Sequence, residues 1–418
     1  GITIADPLFA IAIAGYIVIG ALKIGKQALD ILMDKELADE ERARIREIVT
    51  RHADVHGMHD LRTRSSGAQV FIQMHVEMAP DMTSLEAHDV TDAVTADLLA
   101  AYPNAEIIIH EDPEGLEDFL TDPAAFGLPP GTEVARQETH VSHIFLAGDR
   151  AYKLKKQVRF PYLDFSTLEA RRRACEVEVT INRRTAPAIY LGTVAVTDEG
   201  GGRLALGGAG DPVEWLVEMR RFPDGALFTH LADAGALNRR LMESLADSIQ
   251  AFHGAAEIDR EHGGASGIRA IIDNNDASSR RAQGGLFNAD DINALTDGSR
   301  QLQDSLTALL DARRDSGRVR HCHGDLHLAN ICLFENAPTL FDAIEFNDAF
   351  ARIDVLYDLA FLLMDLDQRG HRRLASFVLN RYLDRVPLDG GDLDGLALLP
   401  LFLSMRAAVR AHVGASQA

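Results

Sequence analysis

Residues His321-Cys322-His323-Gly324-Asp325-Leu326-His327-Leu328-Ala329-Asn330 place an aspartate five positions before an asparagine, and Phe341-Asp342-Ala343-Ile344-Glu345 follows shortly after. This spacing suits phosphoryl transfer. One carboxylate, Asp325, takes the proton of an attacking hydroxyl, while an amide, Asn330, and a second carboxylate, Asp342, hold Mg²⁺ on nucleotide phosphates. Once the metal has spread the charge of the transferred group, the protein's task is mainly positioning.

The elements that must position these groups can be read from periodicity. Strand signals run over His140–Ala147 and Ala151–Val158, a helix over Ser166–Arg184, and two strands over Leu191–Val196 and Trp215–Phe222, with a glycine-rich turn (Gly200–Gly210) between them. From Gly225 onward the pattern is mostly helical. The expectation is a β-rich lobe over 131–224, a connector, and a helical lobe over 225–418.

The front of the chain reads differently. Pro7–Leu22 is uncharged and, with its flanks, nearly reaches the roughly 20 residues of a membrane span. Lys23 and Lys26 mark its cytoplasmic end, and residues 1–30 are assigned to one transmembrane helix of a chain that opens as a fragment. Gly20–Gln27 nearly spells a phosphate-binding loop, but Gln27 stands where Ser or Thr is needed and no strand precedes it. Lys35–Ala53 predicts a helix, Met58–Arg64 and Ala68–Met78 a strand pair, Ser84–Tyr102 a helix and Ala105–His110 a third strand. This order, αββαβ over 31–115, predicts a small ferredoxin-like α+β sandwich. The Pro-, Gly- and acid-rich Glu111–Pro130 holds the boundary, with 116–130 as linker.

The chain has 418 residues, room for two or three domains. Its formal net charge of −21 argues against nucleic acid, because a phosphate-binding surface needs a basic field. Cys175, Cys322 and Cys332 make neither a disulfide framework nor a CxxC zinc knuckle.

On His323-Gly324-Asp325…Asn330, Asp342 and Asp358-Leu359-Ala360, the segment from about Leu116 to Ala418 resembles the aminoglycoside phosphotransferase family, which has a two-lobed protein-kinase-like fold. The resemblance implies an ATP- and Mg²⁺-dependent transferase acting on a small hydroxyl-bearing molecule. Asp325 would be the base, Asn330 and Asp342 the Mg²⁺ ligands, and Asp358 a brace. Gly324 stands where protein kinases keep an arginine that reads a phosphorylated activation loop, and Asp342-Ala343-Ile344 lacks the glycine and aromatic of a movable segment. The phosphate-anchoring lysine falls on Ala151–Lys155, Lys153 preferred and Lys155 close behind, since the two share a strand face. Glu176 is preferred to Glu178 as its carboxylate partner. Met219–Pro223 is the connector that meets adenine. Glu138–Gly148 has no GxGxxG, so Thr139, Ser142 and backbone amides must cover the phosphates.

Ala5–Ala10, the run His59-Asp60-Leu61-Arg62-Thr63-Arg64, and Ile107-Ile108-Ile109-His110-Glu111-Asp112 make residues from about Ile4 to Glu114 resemble the last transmembrane helix and cytoplasmic domain of a bacterial cation diffusion facilitator of the zinc and iron efflux type. The resemblance implies His59, His75, His88, His110 and Asp112 as ligands of Zn²⁺ or another divalent transition metal. It also implies a homodimer and a place at the bacterial inner membrane with both soluble domains cytoplasmic. Imidazole with carboxylate suits Zn²⁺. Transport needs a helix bundle, and one span cannot supply it. The whole chain thus reads as a fusion of a metal-binding domain with a phosphotransferase. The alternatives are a transporter whose second half is a nucleotide-binding regulatory appendage, or an accidental gene join.

Overall fold

A computed structural model describes residues 36–418 apart from 67–68, 79–81, 83, 114, 140, 161–162, 201, 282–286, 386–390 and 418. The expected span over Pro7–Leu22 lies outside the described residues. The chain divides into two compact units, one running to Phe119 and including the turn Asp198–Leu204, the other comprising Leu120–Thr197 and Ala205–Ala418. The division falls inside a short helix, Leu116–Thr121, in the segment expected as a linker.

In the first unit a helix, Asp39–Val49, precedes strands β1 (Gly57–Ser66) and β2 (Gln69–Met78), a helix Ser84–Ala101 and strand β3 (Ala105–Pro113). The sheet order is β1-β2-β3, antiparallel between the first pair and parallel between the second. A parallel pair needs a crossover, and the helix Ser84–Ala101 provides it. Along β2 the alternate residues Ile72, Met74, Val76 and Met78 are buried in one core with Ile45, Val49, Val94 and Leu98 of the two helices. The intervening residues, Gln73, His75 and Glu77, therefore face the other way.

The second unit begins with a six-stranded sheet that includes β4 (Val134–Glu138), β5 (Ser142–Ala147), β6 (Arg150–Lys155) and the strand Asp211–Arg220. β6 lies in the middle, antiparallel to β5 on one side and to Asp211–Arg220 on the other. The helix Leu168–Asn182 starts where the Thr167 hydroxyl accepts from Ala170 N–H at 3.1 Å. Its inward stripe runs Arg171, Cys175, Glu178, Asn182, steps of four, three and four residues that keep one face. The remainder is helical around a large apolar core. At its centre, the helix Val355–Gln368 is buried from Val355 to Leu366 and capped by Asp354, whose carboxylate accepts from Leu356 N–H at 2.8 Å. Among the described residues one stretch, Asp392–Ala415, is long and apolar enough to cross a membrane. Its Leu398, Leu401, Phe402 and Met405 belong to this same core.

Candidate functional sites

The catalytic-loop candidates are built onto the central helix. Asp358 accepts from the backbone N–H groups of His323 (3.1 Å) and Gly324 (3.0 Å), and Asp365, two turns further along the same face, accepts from Leu328 N–H at 3.0 Å. Asp358 also meets His253 Nε2 at 3.0 Å, whose Nδ1 faces the Tyr382 hydroxyl at 2.9 Å. Cys322 brings its sulfur within 4.8 Å of the ligand atoms of His253 and Asp358, but its thiol contacts the Ile353 carbonyl at 3.5 Å. Because these atoms are already engaged, we read the cluster as a brace for the loop. Asp365 was absent from the sequence expectations; its i, i+7 relation to Asp358 on a continuously apolar helix was the signal that could have found it.

Gly324 is required on two counts. Its φ of +83° lies in the left-handed region, and an added Cβ would stand 2.9 Å from Ile344 Cδ1. The loop then delivers Asp325, whose Oδ2 accepts from Asn330 Nδ2 at 2.8 Å and faces His327 Nε2 at 3.3 Å. His327 Nδ1 accepts from Ala329 N–H at 3.2 Å, which leaves Nε2 as the donor to Asp325. Burial works to raise the Asp325 pKa, but the His327 imidazole beside it outweighs that and brings the carboxyl down to about 2. The Asn330 nitrogen is spent on Asp325, so the amide oxygen is left for a hard cation.

Backbone hydrogen bonds stitch this loop to the segment bearing Asp342. Phe341 N–H donates to Asn330 O, His323 Nε2 meets Phe341 O, and Ile344 N–H donates to His323 O, each at 3.0 Å. Asp342 has φ of +60°, a conformation that aspartate tolerates better than most residues with a Cβ. Its N–H donates to the Tyr190 hydroxyl at 3.1 Å, and Ala343 N–H to Asn182 Oδ1 at 2.8 Å.

β6 closes the cluster from above. Lys153 Nζ lies 2.9 Å from Glu178 Oε1 and 2.6 Å from Asp342 Oδ1. Lys155 Nζ lies 2.6 Å from Glu178 Oε2 and 2.6 Å from Glu345 Oε1. The expected partner, Glu176, is corrected to Glu178. Glu176 lies on the outer face of the helix and pairs with Arg172 at 2.8 Å, while Glu178 belongs to the inward stripe. The helical period separates the two residues, and the stripe Arg171–Cys175–Asn182 was the available signal. Burial raises the Glu178 pKa, but its two lysines dominate and hold it near 2. Glu345, also buried, moves the opposite way: it has one lysine and feels the like charges of Glu178 and Asp342.

Ser142 and Met219 sit at the sheet's two ends of this site. Ser142 pairs in register with Lys155, its N–H donates to Thr139 Oγ1 at 3.0 Å, and its buried hydroxyl finds no partner among the described residues. Met219, expected in the connector, is the penultimate residue of the strand Asp211–Arg220, paired with Ala151 and buried. That strand ends at Arg220.

The acid side of the stability curve follows from these carboxylates. Asp325 and Glu178 have folded pKa values below their ordinary ones, so their contribution is present above pH about 4.5 and is lost as pH falls toward 2. The melting temperature of the second unit is expected to drop between pH 5 and about 2, and Asp325→Asn to flatten part of that drop in calorimetry.

In the first unit the backbone register sets His59 opposite His75, and His75 opposite His110 on β3, a row across three strands. The His59 and His75 rings stack with centroids 5.2 Å apart. His59 Nδ1 lies 3.1 Å from Glu77 Oε1, and its Nε2 lies 3.1 Å from Glu117 Oε2. Neither glutamate was among the expected ligands. Register also sets Glu77 opposite position 112. His88 lies on the helix Ser84–Ala101, and His110 and Asp112 on β3. The side chains of these three lie outside the described residues.

Residues 37–114 match the family described as cation efflux protein, cytoplasmic domain. The chain therefore carries a cation efflux cytoplasmic domain. It is similar to the cation-efflux pump FieF of Escherichia coli, 47% identical over 109 residues that cover 26% of this chain and 36% of the pump. An uncharacterized protein of Mycobacterium tuberculosis is 31% identical over 280 residues, 66% of this chain and 54% of the relative. The chain thus spans about half the length of the latter and about a third of the former. Among solved structures it is similar to the zinc form of CzrB, a candidate zinc transporter (33% identity, 20% of this chain, 96% of that chain, TM-score 0.19). A choline/ethanolamine kinase family protein from Mesorhizobium loti is 14% identical, covering 69% and 80%, with a TM-score of 0.39.

Proposed function

We propose that the second unit transfers the γ-phosphoryl group of Mg-ATP to a small hydroxyl-bearing molecule. The observation that carries this reading is Lys153, within 2.9 Å of Glu178 and 2.6 Å of Asp342, joined through that segment to the Asp325–Asn330 loop. An ammonium held by a buried carboxylate, a carboxylate poised against a hydroxyl, and two oxygen donors for a hard cation are the parts such transfer needs. Mg²⁺, held by Asn330 and Asp342, would spread the charge of the phosphates. Lys153 would turn from Asp342 to a phosphate oxygen when nucleotide enters. Asp325 accepts the proton of the acceptor hydroxyl as its oxygen bonds to the γ-phosphorus, and the bond to the bridging oxygen breaks to release ADP. Ser142 and the Thr139 turn would cover the phosphates, and Met219 would lie near the adenine.

Tests follow directly. Mg²⁺-dependent ADP release is expected with one member of a panel of amino- and hydroxyl-bearing small molecules. Nucleotide binding without turnover of any acceptor would favour the regulatory appendage, and no nucleotide binding would sink both readings. His327→Ala is expected to lower kcat roughly 10- to 100-fold with KM for ATP little changed, because it removes a hydrogen bond to a charged group. An unchanged kcat would show that Asp325 needs no such support.

For the first unit we propose a divalent-metal site around His59 and His75, completed by His88, His110 and Asp112, in a domain that pairs with a second copy. The histidine row in the sheet register supports it. We infer that this domain serves cation efflux at the bacterial inner membrane. Zinc titration followed by calorimetry should give binding that His75→Ala weakens at least about tenfold, as loss of one ligand requires. Equal heats for both proteins would remove the metal assignment.

A further inference from the structure

The two lysines of β6 share one carboxylate but live in different surroundings. The Lys153 side chain is 10% exposed beside an Asp342 that is 40% exposed, so it opens toward solvent and any ligand. The Lys155 and Glu178 side chains are 0% exposed and that of Glu345 is 8% exposed. The Phe165 ring covers Lys155, 4.9 Å from Nζ. No ligand in the site can reach that ammonium. It instead joins three pieces of chain: β6, the helix Leu168–Asn182 through Glu178, and the segment 342–345 through Glu345.

That segment is held at every residue. Asp342 N–H is on Tyr190, Ala343 N–H on Asn182, Ile344 N–H on His323, and the Glu345 carboxylate on Lys155. Asp342 alone in it departs from ordinary dihedrals, with φ of +60°. A left-handed residue persists when its surroundings over-determine it. Burying a second ammonium and a second glutamate brings little net stability by itself, since desolvation offsets the attraction.

We propose that Lys155 and Glu345 are positioning residues forming a permanent clamp, which holds the Asp342 segment in its metal-binding conformation while Lys153 alone exchanges Asp342 for phosphate. This rests on the phosphotransferase reading for its purpose, but the clamp itself is a property of the ligand-free protein. It assigns distinct tasks to two lysines two positions apart and makes the segment a fixed one.

The test uses hydrogen exchange of peptides containing 342–345 in the full chain without nucleotide, together with the Mg²⁺ dependence of fluorescent ADP binding. The variants are Lys153→Met, Lys155→Met, and the double variant Lys155→Met/Glu345→Gln, which leaves no unpaired buried charge at Glu345. The double variant is expected to recover much of the melting temperature lost in Lys155→Met. It should still exchange the 342–345 amides at least about tenfold faster than the parent, because the local opening is no longer opposed. Lys153→Met should speed that exchange by much less than the double variant does, because Lys155 and Glu345 still hold the segment, and abolish nucleotide binding. In the double variant the Mg²⁺ midpoint should rise about tenfold, the ordinary scale for loss of ligand support around a metal. Parental exchange in the double variant would overturn the clamp, whatever the nucleotide data show. Faster exchange in a protein that binds no nucleotide would leave the clamp standing and overturn the phosphotransferase reading instead.

Discussion

Asp325→Asn is expected to lower kcat by about 10²–10⁴-fold while Mg-nucleotide binding is retained, because the amide preserves shape but cannot take the acceptor's proton. The substitution is nearly isosteric, and its oxygen can still accept from Asn330 and His327, the two groups that hold Asp325 now. The loop should therefore keep its conformation on Asp358 and Asp365. Since the folded carboxyl titrates near 2, it is fully ionised at any working pH. The parent protein should consequently show no acid limb from this group between pH 5 and 8. Single-turnover measurements of ADP release with and without acceptor check the rate. An Asn variant that turns over like the parent would remove Asp325 from the role of base.

Glu178→Ala should be the most destabilising single change at this site. It leaves Lys153 and Lys155 sharing only Asp342 and Glu345, and breaking a buried ion pair from one side costs about 3–5 kcal/mol. For a unit of this size, roughly five to eight degrees of melting temperature should be lost. Glu176→Ala, two residues away on the same helix, removes only a solvent-facing contact with Arg172 and should leave the melting temperature unchanged. Differential scanning calorimetry of the two variants separates them. Equal melting temperatures would contradict the burial of Glu178.

The contrast between these neighbours shows where sequence reading stops. Charge and chain order place a glutamate after the lysine strand, and both candidates satisfy that. Only the phase of the helix decides between them, and the phase is set by Cys175 and Asn182 packing inward. Lys153 and Lys155 posed the same problem, since alternation puts both on one face. Burial resolves it, because Phe165 and Glu345 enclose one ammonium and leave the other beside an accessible carboxylate. Glu77 and Glu117 went unnoticed for a further reason. They reach His59 from a neighbouring strand and from a following helix, and no local pattern records such encounters.

Local pattern in the sequence settles the kinds of groups present and their order along the chain: an aspartate and an asparagine five apart, a later aspartate just past an apolar strand, a two-lysine strand before a helix, and histidines on strands that alternate. These depend on local periodicity and on fixed spacing in a turn, both of which are properties of short segments. Packing selects which carboxylate meets which ammonium, makes Asp365 share the bracing of the loop with Asp358, and draws Glu345 into the cluster. The reason is physical. Ion pairs and buried hydrogen bonds act over about 3 Å between segments far apart in the chain, so packing of strand, helix and loop selects them.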